Sequence, residues 1–122
     1  MSKRVLVIED EPHIAEAIGF ILSRDGWKVR RHSDGATALE AIRAEPVDVL
    51  ILDVMLPGRS GYEILEALRA DAATRDLPVL LLTARGQARD VALAERLGAD
   101  RIITKPFSNA DLLDTLRAMA GG

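Results

Sequence analysis

Residues 5–18 read VLVIEDEPHIAEAI, and this stretch decides the fold class of the chain. Residues 5–8 are continuously apolar, which predicts a strand buried on both faces, as in a parallel sheet covered by helices. Pro12 follows an acidic turn, and Ile14 and Ile18 are then spaced as on one face of a helix. A buried strand, an acidic loop and an amphipathic helix therefore form the first unit of the predicted fold.

The same unit recurs along the chain. Four further runs are typical of strands, at residues 29–32, 47–52, 79–82 and 102–103, and each is followed by apolar residues at helical spacing. Five strands alternating with five helices predict right-handed crossovers, a parallel sheet and helices on both of its faces. The sequence thus predicts a three-layer α/β sandwich, with the polar run at residues 29–32 as an edge strand.

Length and composition predict one domain spanning residues 1–122, since a chain of 122 residues with 48% hydrophobic residues forms a single core. The net charge of −3 provides no basic field for a nucleic-acid backbone, so direct nucleic-acid binding is not expected. The chain has no cysteine, no long apolar run and no cleavable leader pattern. We therefore expect a soluble cytoplasmic protein that does not associate with membranes.

Polar residues follow four of the predicted strands. Glu9 and Asp10 come after the first strand, Asp53 after the third, Thr83 after the fourth and Lys105 after the fifth. Because ligands of open parallel sheets bind outside the carboxyl ends of the strands, we expect these side chains to converge at one edge.

A cluster of carboxylates needs a cation. Two carboxylates about 4 Å apart repel by roughly 4 kcal/mol at an effective dielectric of 20. Oxygen ligands without nearby His or Cys favour Mg²⁺, with Mn²⁺ as a substitute. Lys105 and Thr83 add a positive charge and a hydroxyl, so the edge is predicted to bind a phosphoryl group together with Mg²⁺.

Five motifs carry a family resemblance. They are Glu9-Asp10-Glu11-Pro12, residues 53–58 with Gly61, Thr83-Ala84-Arg85, Gly98-Ala99-Asp100 and Lys105-Pro106-Phe107. In this order and at these strand ends they resemble the receiver domain of two-component response regulators over essentially the whole chain. The resemblance implies a flavodoxin-like sheet in the order 2-1-3-4-5.

The resemblance also implies roles for the phosphoryl site. Asp53 resembles the phosphoacceptor, which takes a phosphoryl group from a histidine kinase or phosphotransfer protein. Thr83 and Lys105 are then expected to bind phosphoryl oxygens, and Pro106 to follow a cis peptide bond. Switching of the surface toward a downstream output domain or protein partner is the function that follows.

Metal ligands are implied in the same way. Asp10 and Asp53 are expected to bind Mg²⁺ directly, Glu9 through a metal-bound water, and Met55 through its backbone carbonyl. The expected chemistry is limited to self-catalysed phosphotransfer to Asp53 and hydrolysis from it, so the chain is not expected to be an enzyme that acts on other substrates.

Two positions depart from the family pattern. Ile102 occupies the place where the family usually has a switching Tyr or Phe. Regulators that dimerise through the fourth and fifth helices carry an acidic pair and basic partners, whereas here Asp100 is followed by Arg101 and Thr115 replaces a basic residue. We therefore expect a monomer or a weak phosphorylation-dependent dimer.

Three alternatives belong to other classes. A pseudo-receiver that serves only as an interaction module is the first. A Mg²⁺-dependent phosphohydrolase is weaker, because Met55 stands where such enzymes need a second carboxylate. A flavin-binding electron carrier shares the fold, but the acidic loop at residues 9–11 would repel its phosphate.

Overall fold

The computed structural model describes residues 3–84 and 88–120. The strands are β1 (Arg4–Ile8), β2 (Lys28–His32), β3 (Val49–Asp53), β4 (Val79–Thr83) and β5 (Arg101–Thr104). The helices are α1 (Pro12–Arg24), α2 (Ala38–Ala44), α3 (Gly61–Ala70), α4 (Ala88–Leu97) and α5 (Asn109–Met119). Arg85, which belongs to one of the quoted motifs, lies outside the described residues.

All five strands pair in parallel, in the order β2-β1-β3-β4-β5. This order confirms the predicted flavodoxin-like sheet. The polar strand β2 lies at an edge, as its sequence predicts. Several strand boundaries differ by one or two residues from the predicted ones: β3 begins at Val49 rather than at residue 47 and includes Asp53, and β4 includes Thr83. The Asp48 carboxylate accepts a hydrogen bond from the Arg4 N–H at 2.6 Å. In a longer β3 strand a backbone carbonyl would accept from this N–H, but here the Asp48 side chain takes its place.

The sheet separates two apolar cores, because successive residues of a strand point to opposite faces. Leu6 and Ile8 face the core formed with α2, α3 and α4. Val5 and Val7 face the core formed with α1 and α5. All five residues of β3 and of β4 are buried, which is the burial that their continuous apolar sequence predicts. The domain is therefore the predicted three-layer sandwich.

Local sequence signals begin and end several helices. Ser60 and Glu63 form a reciprocal capping box at the start of α3, with bonds of 3.2 and 3.3 Å. Ser108 caps α5 by accepting from the Asp111 N–H at 3.1 Å. Gly98 follows α4 with a φ of 101°, a conformation that favours glycine over other residues. Within the described part of the chain, no helix has the length and apolarity needed to cross a membrane.

Candidate functional site

The site lies at the carboxyl edge of the sheet, where three strand ends meet. Ile8 of β1 is paired with Leu52 of β3, so Glu9 lies level with Asp53. The backbone N–H of Glu9 donates to the His32 carbonyl at 3.0 Å and keeps this end of β1 in line with β2. Parallel register alone therefore brings together two acidic residues that are distant in sequence.

Three carboxylates form a compact cluster. Oxygens of Glu9, Asp10 and Asp53 all lie within 4.8 Å of one another. Glu9 is 1% exposed and Asp53 is 2% exposed, whereas Asp10 faces solvent. The cluster thus has two buried carboxyl groups at its base and one solvent-facing carboxyl group at its rim, from which a hydrated cation could enter.

Lys105 closes the cluster from the β5 side. Its Nζ lies 2.6 Å from Glu9 Oε1 and 3.1 Å from Asp53 Oδ1. The backbone N–H of Lys105 donates to the Thr83 carbonyl at 2.7 Å, and the Lys105–Pro106 peptide bond is cis, the conformation that the resemblance implies. The ammonium group therefore balances one of the negative charges that the sheet register concentrates here.

The surroundings change the protonation of two groups. Burial raises the pKa of Glu9 from 4.5 to about 7, and the adjacent Asp53 carboxylate acts in the same direction. Burial by itself lowers the pKa of Lys105, but the hydrogen bonds to Glu9 and Asp53 outweigh it and raise the pKa above its ordinary value. Without a cation the site therefore holds an ammonium beside a carboxyl group that is only partly ionised at neutral pH.

The start of α3 forms a wall behind the phosphoacceptor candidate. A Cβ atom added to Gly61 would lie 2.2 Å from the Asp53 carbonyl oxygen and 2.9 Å from the Val54 Cα. The Gly61 N–H donates to the Val54 carbonyl at 2.9 Å. Only glycine fits this approach of helix to strand, which explains why the quoted motif includes a glycine at this position.

The other predicted site residues lie on or just after β3, β4 and β5. Thr83 is buried at the end of β4, beside the backbone of Lys105. Met55 follows β3 with 72% of its surface exposed, so its side chain is not part of the buried base. Ile102 is half-buried and packs against the core beneath α3 and α4. The predicted residues from β1, β3 and β5 thus meet in direct contact, and Thr83 lies beside them.

Sequence reasoning missed Arg69. This side chain donates to carbonyls of two separate loops and to the Asp100 carboxylate. Asp100, considered above only for a dimer surface, also accepts from the Val79 N–H at 2.8 Å. An arginine in the last turn of a helix is a weak signal, because the same pattern occurs whenever a cation interacts favourably with the helix dipole.

The donor set fits a hard divalent cation. Carboxylate oxygens at the ends of β1 and β3 lie close enough to share one ion, and the part of the chain that the structure describes adds no His or Cys ligand to them. Burial first, and then the adjacent Asp53 carboxylate, raise the pKa of Glu9, so the cluster disfavours its full negative charge even with Lys105 in place. Mg²⁺ satisfies both requirements and leaves coordination positions for water and phosphoryl oxygens.

Fold and site together define a class of protein: a doubly wound α/β domain with an aspartate-centred, lysine-closed site at the carboxyl edge of its sheet. The family model for the response regulator receiver domain matches residues 5–117. The chain belongs to this family and is a phosphorelay receiver domain of two-component signalling. Receiver domains are signalling domains rather than conventional enzymes.

Relatives support the same assignment. The chain is 40% identical over 119 residues to the phosphate regulon transcriptional regulatory protein PhoB of Klebsiella pneumoniae, an alignment that covers 98% of this chain and 52% of that protein. The chain thus spans about half the length of the curated relatives it matches.

Solved structures agree in fold. A putative response regulator from Chloroflexus aurantiacus J-10-fl superposes with a TM-score of 0.94 at 31% identity, with all of both chains covered. The receiver domain of the sensor histidine kinase PA1611 from Pseudomonas aeruginosa PAO1 superposes with a TM-score of 0.90 at 27% identity, again over all of both chains. That structure has a magnesium ion coordinated in its active site cleft.

Proposed function

We propose that residues 1–122 form one receiver domain in which Asp53 accepts a phosphoryl group in a Mg²⁺-dependent reaction. The observation that carries this proposal is the contact of Lys105 Nζ with both Asp53 Oδ1 and Glu9 Oε1, at 3.1 and 2.6 Å. A carboxylate held beside an ammonium group at the cation-binding edge is both a nucleophile and the centre of an anion-stabilising pocket. The donor is a phosphohistidine of a histidine kinase or phosphotransfer protein.

An Asp53 carboxylate oxygen forms a bond to phosphorus while the P–N bond of the donor phosphohistidine breaks. The electron pair stays on the imidazole nitrogen, which takes a proton from solvent. Lys105 then pairs with a phosphoryl oxygen, and the Thr83 hydroxyl donates to another. Dephosphorylation ends the signal: a water oxygen forms a bond to phosphorus while the bond from the Asp53 oxygen to phosphorus breaks, the water releases a proton to solvent, and Asp53 returns to a carboxylate as inorganic phosphate leaves.

Asp10 and Asp53 would hold Mg²⁺ directly, Glu9 would act through a bound water, and the Met55 carbonyl would complete the protein ligands. The bound ion would neutralise negative charge on the phosphoryl group during its transfer. Mn²⁺ is expected to substitute, because it accepts the same oxygen ligands.

The direct test is phosphoryl transfer from acetyl phosphate in the presence of Mg²⁺, followed by mapping of the label along the chain. We expect one phosphoryl group per molecule, located at Asp53, and no label when Mg²⁺ is chelated. A chain that takes up no label, yet still binds its partner, would be the interaction module considered above as an alternative.

The switch is proposed to act through Thr83 and Lys105 without a large rotamer change at Ile102. Ile102 is β-branched and therefore stiff at its first torsion, and it is already packed against the core. We expect Ile102→Ala to leave labelling of Asp53 almost unchanged, whereas Thr83→Ala is labelled but no longer transmits the change to α4. Methyl NMR of Val91 and Leu93 with and without beryllofluoride measures the response.

A large inward rotamer change of Ile102 on activation, with Thr83→Ala still fully responsive at α4, would contradict this mechanism. Partial loss of response in both variants to the same degree would also contradict it, because the proposal assigns the coupling to Thr83.

Partners are proposed from the family and from the surface. A histidine kinase or phosphotransfer protein supplies the phosphoryl group, and an output domain or protein partner reads the switched surface in the cytoplasm. Direct nucleic-acid binding by this domain and membrane association are not proposed.

The oligomeric state is proposed to be a monomer or a weak phosphorylation-dependent dimer. The Asp100 carboxylate pairs with Arg69 at 3.0 Å and accepts a hydrogen bond from the Val79 N–H at 2.8 Å. Because these groups already bind it, Asp100 is less able to form an ion pair with a second chain. We expect sedimentation velocity to show mainly monomer with and without beryllofluoride and Mg²⁺. A tight dimer in the activated form would contradict this expectation.

A further inference from the structure

Arg69, in the last turn of α3, donates hydrogen bonds to backbone carbonyls that lie outside its own helix. Its Nε donates to the Gly98 carbonyl at 2.9 Å. One terminal nitrogen, Nη1, donates to the carbonyls of Arg75 and Leu77 at 3.0 and 2.8 Å. The other, Nη2, lies 3.0 Å from Asp100 Oδ2. A single guanidinium group thus joins the end of α3, the loop before β4 and the turn after α4.

Asp100 links Arg69 to the first residue of β4, Val79. Its carboxylate accepts from the Val79 N–H at 2.8 Å, and its own N–H donates to the Val79 carbonyl at 3.0 Å. The first residue of β4 and the residue before β5 are therefore bonded to each other twice, and the Arg69 guanidinium closes the arrangement from the helix side. We call Arg69, Gly98 and Asp100 the α4 clamp.

The turn after α4 leaves no spare room over Arg69. Gly98 has a φ of 101°, and a Cβ at this position would lie 3.0 Å from both Cγ and Nε of Arg69. The Ala99 N–H donates back to the Ala94 carbonyl at 3.0 Å, which ties the turn to the last turns of α4. The carboxyl-terminal end of α4 is therefore attached to α3 by the part-buried bond from Arg69 to Gly98, and the Asp100 turn is attached to the sheet by the part-buried bond from the Val79 N–H.

The two ends of α4 have different relations to the phosphoryl site. Thr83 is the last residue of β4, and the chain reaches the first turn of α4 only a few residues later. A movement of Thr83 is consequently expected to move the amino-terminal end of α4 first. The clamp holds the opposite end, about 15 Å away for a helix of this length.

We propose that Arg69 is a positioning residue that fixes the carboxyl-terminal end of α4, so that the response to Asp53 phosphorylation is a pivot of α4 about Gly98. This inference rests on the proposed function, since it assigns the direction of the switch that phosphorylation operates. It assigns Arg69 no contact with the phosphoryl group. The pivot concentrates the change of surface near the start of α4 and leaves the Asp100 turn unchanged.

Lysine is not expected to replace Arg69. A guanidinium presents five donors in a planar fork, whereas an ammonium is a compact point charge on a flexible chain. Arg69→Lys keeps the charge near Asp100 but cannot reach Gly98, Leu77 and Asp100 together. The conservative variant therefore separates the geometry of the clamp from its charge.

The matched control is Arg43→Gln. Arg43 also pairs with an aspartate near the end of α3, at 3.0 Å from Asp71 Oδ2, but its side chain is 52% exposed and forms no part of the clamp. Asp100→Asn is a second test variant, because it weakens the ion pair with Arg69 while an amide oxygen can still accept from the Val79 N–H. Circular dichroism and urea denaturation identify which variants fold.

The first experiment measures amide hydrogen exchange without phosphoryl analogue. Arg69→Lys and Asp100→Asn are expected to raise exchange at Ala99 and at residue 100 by about tenfold, which corresponds to about 1.4 kcal/mol of local opening. Arg43→Gln is expected to leave these amides at the wild-type rate. Unchanged exchange in both clamp variants would show that Arg69 and Asp100 do not hold the turn after α4. This result would overturn the proposed role of Arg69 and would leave the proposed phosphorylation of Asp53 untouched.

The second experiment compares amide chemical shifts with and without beryllofluoride and Mg²⁺. In the wild type, changes in α4 should be largest at residues 90–93 and smallest at residues 97–100, and in Arg69→Lys they should extend through residue 100. Equal changes at both ends of the wild-type helix, with changes also at Thr83, would overturn the pivot alone. No change at Glu9, Asp53 or Thr83 would contradict the proposed function itself, and the pivot with it.

Discussion

Replacing Asp53 by Asn is expected to abolish phosphoryl labelling of the chain by acetyl phosphate and by a phosphorylated histidine donor. The substitution keeps the size of the side chain but removes the anionic oxygen that attacks phosphorus. It also removes one of the two carboxylates expected to bind Mg²⁺ directly. The fold should persist, because residue 53 packs by its backbone against Gly61 and its side chain faces the site.

The control for this substitution is Asp76→Asn, which changes an exposed carboxylate in the loop between α3 and β4. Asp76→Asn should be labelled at the wild-type rate. Mass spectrometry of the intact chain and of its peptides measures both results. Label retained at the wild-type rate in Asp53→Asn would show that another residue is the acceptor.

In the absence of Mg²⁺, the free energy of unfolding is expected to fall as the pH rises from about 4.5 to about 7. Burial beside Asp53 raises the pKa of Glu9 from 4.5 to about 7, so the folded state holds a proton that the unfolded state releases in this interval. Stability is fully present below the unfolded pKa and is lost as the pH rises through the folded pKa. The expected loss is about 3 kcal/mol.

Other carboxylates act in the opposite direction and at lower pH. Hydrogen bonds from Arg117 hold the pKa of Asp25 below its ordinary value, and the Ala73 N–H together with Arg43 does the same for Asp71. A lowered pKa stabilises the fold above the unfolded pKa and stops doing so as the pH falls through the folded pKa. The loss of stability caused by Glu9 between mildly acidic and neutral pH is therefore separate from the loss that Asp25 and Asp71 cause at lower pH.

Urea denaturation of wild type and Glu9→Gln across this interval measures the effect. The difference in stability between the two should change with pH, because Gln cannot ionise, and saturating Mg²⁺ should reduce the dependence in the wild type by favouring ionised carboxylates. Parallel curves for the two proteins without Mg²⁺ would show that Glu9 is not the group that titrates.

Much of the fold was determined locally. Continuous apolar runs identify the buried strands, and helical spacing together with Pro12 identifies the helices and the start of the first of them. Strand alternation with helices then left a parallel sheet as the expected arrangement. Carboxyl ends of parallel strands lie at one edge, so the sequence also placed Glu9 and Asp53 in a common site. The strand order came from the family resemblance and was confirmed by the structure.

Tertiary structure decided which of these groups touch. Lys105 is 52 residues from Asp53 and 96 from Glu9, and no local pattern shows that its ammonium lies between them. Asp100, considered from the sequence for a dimer surface, pairs in the structure with Arg69 and with the Val79 N–H. Arg69 itself gave no distinctive signal. Backbone periodicity is local and depends on side-chain type, whereas the partner of a long charged side chain depends on which loops the packed sheet brings within its reach.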